Sequence, residues 1–261
     1  MSHPQQKSNQ AEGASANETL ELLLRHRSIR KFTADPISKE QIEAIVGAAQ
    51  MASTSSNVQA YSIIGVIDAD LKRGLAALAG NQAYIEQCPL FLVWCADLHR
   101  LDAASRKHGV EPAMDFTENL LVSTVDTSLA AQNAAIAAES LGLGIVYIGG
   151  IRNHPAAVCE LLKLPPLVYP VFGMCVGVPA QDPGSRPRLA PGAVYHENVY
   201  RSVEPEDALL EEYDQRLRSY YLERTGGKRD TTWTREMADK YSKPIRAHIR
   251  AFLAERGLGL R

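Results

Sequence analysis

Apolar positions along the chain alternate between two periods, and the points where the period changes divide it into helices and strands. Ser15 and Glu18 stand three apart, as a capping box does, and Leu20, Leu23 and Leu24 follow at helical spacing; a first helix is predicted with those leucines facing inward. It delivers the stretch HRSIRKFTADPIS. Ser38 with Gln41 repeats the capping signature and Ile37 with Ile42 fits a hydrophobic staple, so a second helix is predicted to about residue 52. The hydroxyls and amides from Ser53 to Gln59 read as a loop, solvated or lining a polar ligand. YSIIGVID (61–68) is apolar nearly throughout, as a strand covered on both faces would be, with Asp70 capping the helix after it. LFLVWCAD (90–97) reads as a second buried strand, and the polar residues 98–113 as a loop-like surface insertion.

From about Met114 to Leu141 runs the longest periodic segment, rich in alanine and poor in charge, closed by Gly142. It reads as the central core helix. GIVYIGG (144–150) is a third strand ending in two glycines, and Asn153 with Pro155 starts a helix through Leu162. VYPVFGMCVGVP (168–179) is a fourth strand whose internal proline argues for a sheet edge or an irregular start. Residues 180–200 are proline-rich and aperiodic, an arm. A charged helix follows from Pro205 to about Arg224, with Leu209, Tyr213, Leu217 and Tyr220 on one face. Gly226-Gly227 ends it, and a last helical segment from about Thr234 to Arg256 is broken near Pro244. Helices outnumber strands in a mixed α and β chain.

Composition narrows the function. With 261 residues, 45% hydrophobic and 22% charged, the chain can bury a sizeable core. A net charge of -2 gives no electrostatic reason to expect nucleic acid or an anionic membrane as partner, so any basic site must be local. The four cysteines (Cys88, Cys95, Cys159, Cys175) form no C-x-x-C pair and read as buried thiols of a cytoplasmic protein. Residues 1–16 lack the apolar core of a signal peptide and read as a disordered tail, and no apolar run is long enough for a membrane span. The chain has no G-x-S-x-G, H-E-x-x-H or P-loop signature, and its histidines are scattered.

Three features remain. Arg27, Ser28 and Arg30 place two guanidiniums and a hydroxyl within four residues; arginine's rigid fork takes two phosphate oxygens at once. Tyr147-Ile148-Gly149-Gly150 ends a strand in glycines whose N–H groups can approach a flat ring with no Cβ in the way. Arg186-Pro187-Arg188 adds two more cations inside the arm. Each alone is also surface charge; together they suit a planar ligand bearing a phosphate.

These stretches carry a resemblance. From about Thr19 onward the chain resembles the nitroreductase-like FMN enzymes, above all the oxygen-insensitive NADPH nitroreductases and flavin reductases. The likeness rests on HRSIRKFTADPIS, ASTSSNVQAYSII, LFLVWCAD, DTSLAAQNAAIAAESLGLGIVYIGGIRN and RPRLAPGAVYHENVY. It implies an α+β fold in which a central mixed sheet is flanked by helices, with a long central helix and dimer-embracing extensions. Residues 17–200 would be the FMN-binding core, and 201–261 a helical extension carrying the NADPH loop. It implies that His26, Arg27, Ser28 and Arg30 bind FMN, with Arg27 and Ser28 toward the phosphate and Arg30 beside the pyrimidine edge of the ring. Ser55, Ser56 and Gln82 would also contact the cofactor. Tyr147, Ile148, Gly149 and Gly150 would hold the ring through their backbone, and Arg186 and Arg188 would close on the phosphate. Arg186 stands where the family often has lysine.

The resemblance further implies a homodimer with FMN at the subunit interface, and ping-pong transfer from NADPH to nitroaromatics, quinones or flavins. No side-chain nucleophile is needed, because the ring carries the chemistry and Arg30 stabilises its reduced charge. Arg224, Lys228 and Arg229 match the family's NADPH loop and would meet the 2′-phosphate; the same cations also suit a helix C-terminus. Two other readings stay open: a non-catalytic flavin-binding module, and an enzyme acting on phosphorylated metabolites.

Overall fold

The computed structural model describes residues 17–204 and 206–261. The expected tail, with Ser15, and the expected helix start at Pro205 lie outside them. Its centre is a four-stranded sheet in the order β1 (Tyr61–Val66), β2 (Leu90–Asp97), β4 (Val168–Gly177), β3 (Gly144–Ile148). All neighbouring strands pair antiparallel, and the only parallel pairing among the described residues is an isolated bridge between Ser28 and Ile145. The expected mixed sheet is therefore corrected to an antiparallel one.

The helix α6 (Thr117–Ser140) crosses one face of this sheet. Its small residues Ala130, Ala131, Ala134, Ala135 and Ala138 are buried with Leu92, Trp94 and Ile145, as the alanine pattern predicts. Helix α2 (Lys39–Gln50) packs on α6 and starts with the predicted capping box: Ser38 Oγ accepts from Gln41 N and Gln41 Oε1 accepts from Ser38 N. The opposite face is covered by α3 (Ala69–Leu78), α4 (Tyr84–Gln87) and α7 (Pro155–Leu161), around Leu75, Ile85, Phe91 and Val158. The chain closes with α8 (Ala208–Arg224), α9 (Trp233–Tyr241) and α10 (Ile249–Glu255), with α10 sending Phe252 into a third cluster beside Leu98 and Val171.

Several expectations change. Helix α1 (Glu18–Leu24) is capped by Asn17 and buries Leu22, while Leu20, Leu23 and Leu24 are exposed; a helix this short leans on its neighbour by one side only. The insertion at 98–113 contains a helix, α5 (His99–Lys107), with no buried residue. It is held by polar ties: Asp97 Oδ1 accepts from Arg100 N, and Arg106 pairs with Asp102 and Glu111. Strand β1 is a half-buried edge strand, and Asp68, not Asp70, caps α3. Pro155 is the first residue of α7, but the capping position is His154. Of the two expectations for strand β4, the sheet edge fails, since β4 is central, and the irregular start holds: Pro170 sits where the register shifts against Trp94 and Cys95, so the missing N–H falls at an irregularity. On α8 the buried face is Tyr213, Leu217 and Tyr221, stepping by four; Tyr220 is not part of it.

Candidate functional site

The arginine stretch lies along the free edge of β3. Ile29 N donates to Ile145 O at 2.9 Å, Thr33 N to Val178 O at 3.0 Å, and Ala180 N to Lys31 O at 2.9 Å. Gly144 and Gly177 permit this approach. A Cβ on Gly144 would fall 2.6 Å from Ile29 Cγ1, and one on Gly177 would fall 2.8 Å from Phe32 Cδ1. Ile29 is buried while Ser28 is half-buried and Arg30 exposed, the alternation of an extended segment with one face inward.

Arg27 pairs with Asp182 at the start of the arm, and that guanidinium holds the Asp182 carboxyl below the usual carboxylate range. His26 Nδ1 lies 2.6 Å from Glu139 Oε1 near the end of α6. A cavity of about 390 Å³ opens here, walled by Leu22, Arg25, Arg27, Ile29, Glu139 and Gln181. Gln82, Gly149 and Gly150 are not among the residues that wall it.

At the end of β3 the chain turns through Gly149–Arg152. Ile148 and Gly150 are buried. Tyr147 packs edge-on against Phe172 with ring centroids 5.2 Å apart; burial, then Glu139, pushes its hydroxyl far above the ordinary tyrosine range. Gly150 and Gln82 come together: a Cβ on Gly150 would lie 2.4 Å from Gln82 Nε2 and 2.4 Å from Ala79 O. The Gln82 amide donates to Ala79 O at 2.6 Å and accepts from Tyr84, which leaves one N–H and one lone pair for a ligand. A Cβ on Gly149 would meet nothing nearer than Arg152 Nη2 at 3.5 Å, so this glycine has open space.

The C-terminal segment reaches the same turn, a feature the sequence did not announce. Arg246 Nε donates to Asn153 Oδ1 at 2.9 Å and His248 Nε2 lies 3.1 Å from Arg152 O. Burial, then repulsion from Arg246, depresses the Arg152 pKa.

Ser55 and Ser56 are not part of this cluster. They form a turn leading into β1, about 14 Å from β3 at three strand spacings. Ser56, Asn57 and Gln59 all have positive φ (46°, 58° and 51°). The buried carboxylate of Asp126 holds the turn, accepting from Ser55 N at 3.1 Å and Ala60 N at 3.3 Å.

Helix α8 organises the remaining cations. Tyr213 Oη donates to Pro187 O at 3.1 Å and Arg216 Nη2 to Arg188 O at 3.1 Å, fixing the arm at the second and third residues of Arg186-Pro187-Arg188. Burial raises the pKa of Tyr213, opposed by Arg188 and Arg186. Arg186 lies 5.7 Å from the centroid of the Tyr221 ring, and Arg229 lies 3.8 Å from the same centroid. Arg229 also pairs with Glu236, which raises its pKa. Arg224 donates to Tyr220 Oη at 2.6 Å and lies over that ring. Gly226 and Gly227, at φ 58° and 80°, turn the chain between these arginines and leave Lys228 exposed. Arg30, Arg186, Arg188 and Lys228 make no ion pair among the described residues.

The structure thus gathers His26–Arg30 against β3, sets Gln82 against Gly150, and joins Arg186 to Arg229 through one tyrosine. It leaves Ser55 and Ser56 apart. Sequence reasoning missed the acidic partners Glu139, Asp182 and Glu236, the loop anchor Asp126, and Tyr221.

Comparison with known proteins gives a concordant result. The profile described as "Nitroreductase family" matches residues 23–178, and "Nitroreductase family, C-terminal domain" matches 186–261. The "FMN reductase (NADPH)" of Bacillus subtilis (strain 168) is 47% identical over 245 residues, 92% of this chain and 98% of that protein. The "Oxygen-insensitive NADPH nitroreductase" of Salmonella typhimurium is 43% identical, over 93% of this chain and 99% of its own. The solved structure of B. megaterium NfrA1 superposes with a TM-score of 0.89 at 48% identity, covering 93% of this chain and 100% of the other. The helix-flanked antiparallel sheet, the glycine-ended strand beside an arginine stretch, and these matches along nearly its whole length all agree: the chain belongs to the nitroreductase family.

Proposed function

We propose that the protein is an FMN-dependent NADPH oxidoreductase that passes two electrons to nitroaromatics, quinones or related acceptors. One observation carries the reading: the arginine stretch and the glycine-ended strand β3, remote in sequence, lie side by side in a chain 47% identical to an FMN reductase. The donor set fits FMN. Arg30, Arg186 and Arg188 are exposed cations without a carboxylate partner among the described residues, and Gly149 has open space where a side chain would obstruct a ring. When bound, FMN supplies hydride transfer between NADPH and an acceptor, each occupying the ring face in turn.

The chain's own residues do the rest. Arg27, Ser28, Arg186 and Arg188 hold the phosphate; Arg30 offers positive charge to the ring edge, favouring its reduced form. Tyr147, Ile148, Gly149 and Gly150 supply backbone to the ring, and His26 is steadied by Glu139. Gln82 presents its one free N–H and lone pair. Arg224, Lys228 and Arg229 receive the 2′-phosphate of NADPH. Residues 17–200 form the cofactor core and 201–261 the extension that carries the donor loop.

The functional unit is a homodimer. Leu121, Val125 and Leu129 make an exposed apolar stripe on α6 at spacing four, and exposed Leu20, Leu23 and Leu24 on α1 add apolar surface of the same kind. A second copy covering the stripe would supply Ser55 and Ser56, which one chain cannot bring to its own β3. Four buried thiols suit the cytoplasm, and no described helix is long and apolar enough to cross a membrane. A second reading, reduction of free flavin, is favoured by the 47% identity to the FMN reductase (NADPH) of B. subtilis.

The freshly purified protein should be yellow, with the two visible bands of FMN. It should bleach with NADPH and recover its colour on adding a nitroaromatic or quinone. A colourless protein that refuses added FMN would overturn the reading. Bleaching by NADPH with recovery only on free FMN would favour the flavin reductase.

A further inference from the structure

Tyr221 sits where the arm and the donor loop meet. It is 3% exposed, and its ring lies under two guanidiniums that belong to different segments: Arg186 at 5.7 Å and Arg229 at 3.8 Å from the centroid. The backbone repeats the connection. Tyr221 O accepts from Thr225 N at 3.0 Å and Thr225 Oγ1 at 2.7 Å, and the same hydroxyl accepts from Arg229 N at 2.9 Å. One turn of α8 therefore fixes the start of the loop, the main chain of Arg229 and the head of Arg229. Two turns earlier, Tyr213 fixes the main chain of Pro187, next to Arg186. Tyr213, Leu217 and Tyr221 share the buried face of the helix, so the two tyrosines move as one rigid edge.

A guanidinium over an aromatic face is attracted by the ring quadrupole and loses rotamer freedom there. Two such cations on one ring repel each other, so they stay together only where something negative arrives between or beside them. Glu236 provides one such charge for Arg229. Arg186 has none among the described residues.

We propose that Tyr221 is a positioning residue shared by two anion sites, its ring holding Arg186 for the cofactor phosphate and Arg229 for the 2′-phosphate of the electron donor. This rests on the cofactor and donor assignments made above. It adds that the two sites are built on one aromatic surface, so a change in that surface weakens both ligands together. The π face carries the effect, because the Tyr221 hydroxyl makes no hydrogen bond among the described residues.

The test is a series at position 221 in the full chain: Tyr221→Phe, then phenylalanines bearing one, two and three ring fluorines. These keep the shape and remove the quadrupole stepwise. The readouts are the Kd for FMN by flavin fluorescence and KM for NADPH and NADH. Tyr221→Phe should match the natural protein. The trifluorinated ring should raise the FMN Kd and the NADPH KM about twofold to fivefold each, with the NADH KM unmoved, since NADH lacks the 2′-phosphate. A merely structural role for the ring would shift all three constants or none. Arg186→Ala and Arg229→Ala serve as references. If they weaken FMN and NADPH respectively while fluorination changes nothing, the shared role of Tyr221 is refuted and the assignments stand. If the alanine variants also change nothing, the assignments fail and the proposal falls with them.

Discussion

Gly149 and Gly150 are neighbours, and the structure gives them opposite jobs. A methyl group at 150 would sit 2.4 Å from Ala79 O and 2.4 Å from Gln82 Nε2, about 1 Å closer than ordinary contact allows, and one of the two is backbone. Gly150→Ala must therefore push the Gln82 amide off Ala79 O and open the turn. Overpacking costs about 1–3 kcal/mol and the lost hydrogen bond about 1 kcal/mol, so roughly 2–4 kcal/mol in all. At about 2–4 °C per kcal/mol for a chain of this size, the FMN-free variant should melt about 5–15 °C below the natural protein. A methyl group at 149 meets only Arg152 Nη2 at 3.5 Å, so Gly149→Ala should melt within about 2 °C of it. The same methyl occupies the space assigned to the ring, and FMN affinity should fall about tenfold or more, a steric misfit of 1.4 kcal/mol being a factor of about ten. Circular dichroism melts of the FMN-free proteins and FMN titrations by fluorescence check both halves. Equal melting points for the two variants would refute the packing argument, and full FMN affinity in Gly149→Ala would refute the placement of the ring.

Other expectations follow from single contacts. Arg224→Ala with Arg229→Ala should raise KM for NADPH about tenfold or more and leave NADH almost unchanged, the loss of a charge-assisted phosphate contact; steady-state kinetics with both donors decides it. Asp126→Ala removes the acceptor for Ser55 N and Ala60 N from a buried position and should cost about 2–4 kcal/mol, read by urea unfolding, with Asp126→Asn intermediate. Arg261 holds the Asp115 carboxyl below its ordinary range, so the clamp between them contributes above about pH 4 and is lost as pH falls through the lowered value. Dye-reported release of the segment that carries Arg261 should accordingly begin only below about pH 4. All four cysteines are buried, so a thiol reagent should label none in the native protein within minutes and all four in guanidinium chloride.

What could be read in the sequence, and what could not, divides by range. Short-range chemistry was legible: the Ser38–Gln41 box, the alanine-lined α6, the fully buried β2 and the Gly226-Gly227 turn each depend on residues within one helical turn or one strand. The arginine stretch was also legible as a basic cluster at a chain turn. Its seat against β3 was not, because that depends on Gly144 and Gly177 meeting Ile29 and Phe32 more than a hundred residues away. Helix α5 was hidden for a different reason: it is strongly polar overall, packs little more than Leu101 against the core, and is held by ionic ties. Strand composition did not distinguish the edge strand β1 from the central β4, since a helix on one face hides an edge strand nearly as well as a neighbour does. The acids that pair with His26 and Arg27 lie 113 and 155 positions from them, beyond any local pattern.

Those acids also say how a site of this kind can be strongly basic in a chain whose net charge is -2. Arg27 is matched by Asp182 and Arg229 by Glu236, while Arg30, Arg186, Arg188 and Lys228 have no such match among the described residues. A phosphate binding at Arg27 competes with a carboxylate whose side chain is 70% exposed and which water receives at little cost. At Arg229 the competitor is 24% exposed, and displacing it costs more. On the proposed assignments the two anion sites should therefore differ in grip: the cofactor phosphate would meet unmatched cations and one loosely held partner, whereas the donor's 2′-phosphate would have to displace a better seated one. A cofactor that stays and a donor that must leave in every turnover require that order. Glu236→Gln tests it, because freeing Arg229 should lower KM for NADPH and slow release of NADP⁺, with the FMN Kd unchanged; a variant whose NADPH and NADH constants move alike would show that Glu236 has no part in the discrimination.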